Sequence, residues 1–155
     1  MLILGMDPGS ISFGIGLVKK DGKHFNYVYS EEIKLAEKDF VSRMQTLWSR
    51  LNQMTARFPI DEAAMEEGFL GKNIRSMSLL SMVRGVALAS LLQRSVPLSL
   101  YSPREVKLAL TGYGNADKTQ LSKMAALVLG IRDKKLGLDE SDALAVAYCH
   151  GVNRR

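Results

Sequence analysis

The residues best suited to chemistry are acids placed where strands and a helix should end: Asp7, the adjacent Glu66 and Glu67, and the pair Asp139 and Asp142. Carboxylates gathered in one place repel one another, so something positive must hold them together. Hard divalent cations take oxygen ligands, and with two His and one Cys in the chain the donor set points to Mg2+ or Mn2+ rather than zinc. Lys and Arg number 21 against 16 Asp and Glu, a formal net charge of +5. A basic surface around such a cluster suits a polyanionic substrate whose phosphates the metal would activate.

Each acid also has a plainer use. Asp7 lies in Gly5-Met6-Asp7-Pro8-Gly9-Ser10, where its side chain could cap its own turn. Glu66 and Glu67 leave a strand on opposite faces, so one of them joins the cluster, and periodicity does not choose which. Asp139 and Asp142 share a helix face, with Glu140 pointing about 100° away. Asp139 is equally a natural N-cap, and Asp142 an acid beside a positive helix terminus. Against that use stands the apolar run Ala143 to Ala147, which half-buries the pair, where unpaired carboxylates are costly.

Among the cations, Lys107 and Lys118 flank the glycine loop 111 to 115, and Lys118 falls in the first turn of a helix, where backbone N–H groups favour anions. Just beyond Glu67, Phe69-Leu70-Gly71-Lys72-Asn73 sets an aromatic and a cation side by side, a pairing suited to base stacking and phosphate contact. Phe69 is equally suited to core or dimer packing.

The elements that must position these residues follow from periodicity. Leu2 to Met6 reads as a buried strand, followed by strands over Ser12 to Lys20 and His24 to Ile33 joined at Asp21-Gly22. Asp39 to Arg57 is an amphipathic helix, Ala63 to Glu66 a fourth strand, Ile74 to Gln93 a second long helix and Leu98 to Tyr101 a fifth strand. Ser102 with Glu105, and Asp117 with Gln120, form capping boxes that open two further helices, and a last helix runs from Asp139 to Val152. The order predicts an α/β fold: a five-stranded mixed sheet, three antiparallel strands plus two parallel, with helices on both faces. Asp7 and Glu66 then lie at the carboxyl ends of parallel strands, where open α/β sheets place ligands.

At 155 residues, 46% of them hydrophobic, the chain suits one domain spanning 1–155. Lone Cys149 allows no internal disulfide, the opening residues carry no basic leader, and no apolar stretch is expected to reach bilayer length. A cytoplasmic location with no membrane contact is the expectation.

Five segments in order, I-L-G-M-D-P-G-S near the start, M-E-E-G-F-L-G-K-N, R-G-V-A at 84 to 87, G-x-G-x-A-D-K-x-Q at 112 to 120 and D-E-S-D-A-L-A-V-A at the end, closely resemble the RuvC family of Holliday junction resolvases. The resemblance runs from about residue 2 to residue 150. It implies an RNase H-like fold, a homodimer, and Mg2+-dependent nicking of four-way DNA junctions in recombination and repair, alongside the RuvAB branch-migration complex. The catalytic, metal-binding acids fall on Asp7, Glu66, Asp139 and Asp142, with two Mg2+ per site and Mn2+ able to substitute. Phe69 matches an aromatic that probes the opened junction, and Lys107 and Lys118 match basic positions near the scissile strand. Lys72 joins them as a DNA-binding candidate. Some members carry a longer tail beyond the position of Arg155, and contacts made by such a tail lie outside the resemblance. The rival readings are an RNase H-like nuclease acting on RNA or other DNA structures, and a junction-binding scaffold without chemistry.

Overall fold

The central strand β1 (Leu2–Pro8) alternates between two apolar layers, sending Leu4 and Met6 to one core and Ile3 to the other. The structure is a computed structural model that describes residues 1–68 and 74–154. Strands β2 (Ser12–Asp21) and β3 (His24–Lys34) extend the sheet on one side of β1, both antiparallel, and Gly22 at φ 56° makes the turn between them. On the other side β4 (Glu62–Glu66) pairs parallel with β1, and β5 (Leu98–Tyr101) parallel with β4. The order β3-β2-β1-β4-β5 is the mixed sheet expected from the sequence.

Helices α1 (Phe40–Arg57) and α2 (Ile74–Leu92) cover one face, where Leu47, Leu51, Val83, Ala87 and Leu91 meet Leu4, Met6, Phe13 and Ile15. The other face carries α5 (Leu138–Asn153), against which α3 (Pro103–Thr111) and α4 (Lys118–Val128) pack through Val106, Leu110, Leu121 and Ala125. Both anticipated capping boxes form, Ser102 with Glu105 and Asp117 with Gln120.

Two sequence expectations need correction. Among the described residues one helix, α2, is by length and composition long and apolar enough to cross a membrane. In this fold it instead packs on α1 and β1, burying Val83, Ala87, Ser90 and Leu91, while Ile74, Met82, Leu88 and Leu92 stay exposed. Its apolar character encircles the helix, which is why a single core-facing stripe understated it. The N-cap of α5 is Gly137, not Asp139: the Glu140 carboxylate accepts from the Gly137 N–H at 2.8 Å, and Asp139 is the second helical residue.

The seat of α5 decides where its acids go. On the face of β1 and β2 toward α5, Gly5 pairs with Gly16, and Asp7 with Gly14. A Cβ on Gly14 would stand 2.1 Å from the Asp139 carbonyl oxygen, and one on Gly16 2.8 Å from the Leu144 nitrogen, distances no real side chain tolerates. Glycine at these two positions therefore lets the helix backbone settle directly on the sheet. Side chains secure it at both ends. Near its start Lys134 pairs with Glu140, which also accepts from Ser30 at 3.0 Å. At its far end Glu62 meets His150 at 2.7 Å and Arg154 at 2.5 Å, and the Tyr101 hydroxyl lies 2.9 Å from His150 Nδ1.

Candidate active site

Asp7 arrives on β1 as a ladder residue opposite Gly14, inside the strand rather than in the turn that follows. Glu66 is the last residue of β4, one step beyond the pair Met6 and Met65, which brings it alongside Asp7 in the parallel register. Asp139 and Asp142 come from the first turns of α5, lowered toward Asp7 by the contact of Asp139 with Gly14. With the first turn of α5 capped by Glu140, neither acid is occupied at the helix end.

The four acids share one electrostatic environment. Burial, then the charges of Asp142, Glu66 and Asp139, pushes the Asp7 carboxyl up to about 7, with Lys118 pulling against them. Burial, then Asp142, raises Glu66, opposed by Lys118, Lys107 and Arg84. Asp142 is raised by burial foremost even though Lys118 donates to its Oδ2 at 3.1 Å, because the cation is largely exposed and its attraction is screened. The same hydrogen bond, followed by the Asp142 charge, raises Lys118. Asp139 accepts a hydrogen bond from the Ser12 hydroxyl at 2.5 Å.

The arrangement meets the chemical needs of a hard cation without forming a closed cage. Among the described residues no three His, Cys, Asp or Glu side chains converge as a ready-made metal site. What they offer is an all-carboxylate donor set, an acid at Asp7 pushed toward neutrality by burial and then by its neighbours, and Asp142 Oδ1, buried with no hydrogen-bond partner among the described residues. Each marks a shortage of positive charge, which a divalent ion with oxygen preference would relieve. The residues fit such an ion.

Sequence reasoning anticipated most of this grouping. Asp7, Glu66, Asp139, Asp142 and Lys118 are brought together, and Lys107 on α3 stands near enough to act on both Glu66 and Asp142. Glu67 is exposed and uses its N–H on the Tyr101 carbonyl at 2.7 Å. Phe69 and Lys72 lie outside the described residues. Two neighbours escaped notice as site residues. Arg84 donates to the Glu66 carbonyl at 2.5 Å, and its place in the R-G-V-A segment was the available signal. Ser12 had no local signal, since its partner is 127 residues away.

The family model for the crossover junction endodeoxyribonuclease RuvC matches residues 3–150. RuvC of Christiangramia forsetii is 38% identical over 153 residues, covering 98% of this chain and 80% of that protein. The Thermus thermophilus RuvC structure aligns with a TM-score of 0.86 at 28% identity over 97% of this chain and 93% of that one. T. thermophilus RuvC in complex with Holliday junction substrate aligns at 0.90, again at 28% identity, over 97% and 92%. Nucleases of this family are metal-dependent. With the acids, the fold and the full-length match in agreement, the chain belongs to the RuvC family of crossover junction endodeoxyribonucleases.

Proposed function

We propose that this chain, acting over 1–155 as one nuclease domain, resolves four-way DNA junctions by paired symmetric nicks in recombination and repair. The observation that carries the proposal is the meeting of four carboxylates with Lys118 beside the ends of β1 and β4, in a chain of this family. Asp7, Glu66, Asp139 and Asp142 hold the metal, for which we propose two Mg2+ per site with Mn2+ as substitute. Ions held by these acids would supply an activated water nucleophile and charge stabilisation at the leaving 3′ oxygen.

The chain's own groups set the conditions for that chemistry. Asp7 must be deprotonated to act as a ligand, and its burial and then its acidic neighbours resist this until positive charge arrives. Lys118 restrains Asp142 through the 3.1 Å hydrogen bond and supplies fixed positive charge toward the scissile phosphate. Lys107 adds a second cation on the same side, and both belong to the DNA-binding surface. Phe69 and Lys72 belong to it in the same proposal.

A homodimer fits the exposed apolar residues Ile74, Met82, Leu88 and Leu92 of α2 beside Trp48 of α1. A two-fold dimer presents two identical sites, so a two-fold junction is nicked on strands of like polarity. Work alongside the RuvAB complex, in the cytoplasm, is carried over from the family. The test compares a four-way junction, a duplex of the same sequence and an RNA/DNA hybrid in Mg2+. Paired, ligatable nicks confined to the junction are expected. Equal cutting of the hybrid would favour the RNase H-like reading, and tight junction binding without cutting would favour the scaffold.

A further inference from the structure

On the face toward α5, alternate residues of β2 form the row Ser12, Gly14, Gly16. The two glycines leave room for the α5 backbone, and Ser12 is the first member of the row with a side chain. Its hydroxyl donates to Asp139 Oδ2 at 2.5 Å.

The donor itself is held on both sides. Ser12 pairs with Lys34 in the β2–β3 ladder, and its carbonyl oxygen would lie 2.4 Å from a Cβ on Gly9, so the turn closes tightly over it. Asp139, in contrast, has no capping duty, because Glu140 already serves the Gly137 N–H. An aspartate in a first helical turn with no other fixed contact would sample several rotamers. Here a hydroxyl on a rigid strand start selects one.

We infer that Ser12 is a positioning residue for Asp139, fixing its carboxylate and thereby setting the affinity of the acid cluster for its divalent cation. The inference rests on the functional reading above. Groups that orient a metal's ligands typically change metal affinity by about 10-fold to 100-fold when removed, because the ligand must then be ordered by the ion itself.

The test is calorimetric titration of the metal-free protein with Mn2+, set beside the Mg2+ dependence of junction nicking. Ser12→Ala is expected to weaken Mn2+ binding about 10-fold and to raise the half-saturating Mg2+ by a similar factor, with maximal rate at saturating Mg2+ within about 3-fold. Ser12→Thr and Ser12→Val share a shape and differ in the hydroxyl, so their comparison holds whatever Ser12→Ala does to folding. Thr is expected to bind Mn2+ about 10-fold more tightly than Val. Equal affinities in the Thr and Val proteins, while Asp139→Asn loses binding, would overturn the role of Ser12 and leave the nuclease reading standing. A wild-type protein that binds no Mn2+ would overturn both.

Discussion

Lys118, the first residue of α4, donates a 3.1 Å hydrogen bond to Asp142 on α5, so a helix start supplies a cation in direct contact with the acid cluster. Lys118 also opposes the raised pKa of Asp7 and of Glu66. With the Asp139 charge also raising Lys118, this one side chain is coupled to all four acids. Replacing it with Met is expected to lower junction nicking about 100-fold, the scale for removing one preorganised charge, and to move the optimum to higher pH as Asp142 rises further. Single-turnover nicking across a pH series checks both effects.

Metal ligation needs the charged oxygens, whereas junction binding relies on basic residues. Asp7→Asn, Glu66→Gln, Asp139→Asn and Asp142→Asn are each expected to abolish nicking and to retain junction binding in gel shift. Glu67→Gln, altering the exposed neighbour, should cut at the wild-type rate. Full activity in any of the first four removes that residue from the site.

The pH dependence of stability has a definite sign. Asp7 has a folded-state pKa of about 7 against an ordinary value of 3.8, so between those limits the unfolded chain has lost a proton that the folded one keeps. Stability of the metal-free protein from this group is therefore full below about pH 4, falls as pH rises toward 7, and is flat beyond. Asp7→Asn should stabilise the metal-free protein by on the order of 2 kcal/mol at pH 8, after allowance for relaxation, and by almost nothing at pH 4. Chemical denaturation at the two pH values reads this directly. Added Mg2+ should stabilise the wild type at pH 8 and leave the variant unmoved.

Gly14→Ala would press a methyl group against the Asp139 carbonyl, 2.1 Å from the ideal Cβ position. Relief requires lifting the start of α5 from the sheet. A loss of about 3 kcal/mol in stability is expected, the upper range for overpacking, with nicking lost even where the protein still folds. Thermal melts and nicking assays on the same preparation would show a harmless substitution at once.

Met82→Glu places a charge among the exposed apolar residues of α2. If that face is the dimer seam, light scattering at micromolar concentration should find a dimer for the wild type and a monomer for the variant. Paired nicking should give way to single nicks. A monomeric wild type with undiminished paired nicking would remove the dimer from the account.

Local physics made much of this fold legible. An apolar run closed at Asp7-Pro8-Gly9 marked β1, aromatics at alternate positions marked β3, and Ser102 with Glu105 announced α3 through a pattern complete within four residues. The acids were legible as types, whereas strand periodicity left Glu66 and Glu67 open and the choice of Glu66 came from the family resemblance. What stayed hidden depends on partners distant in sequence. The contact of Glu140 with the Gly137 N–H lies within four residues, but the hold on Glu140 by Ser30, 110 residues away, which steadies that arrangement, has no signal in any local window. Arg84 reaches the Glu66 carbonyl only once α2 lies on the sheet. The breadth of the apolar surface on α2 was visible in composition, but not which part the core would take.

The glycine seat beneath α5 has a bearing on how such a protein is surveyed. Experiments that truncate residues one at a time to alanine ask what each side chain contributes, and at Gly14 and Gly16 there is nothing to truncate. A scan of that kind would record the acids and Lys118 and pass over the positions that let them meet. Here the closeness of the two α5 aspartates to Asp7 depends on atoms the chain omits, and the informative library is one that adds carbon rather than removes it.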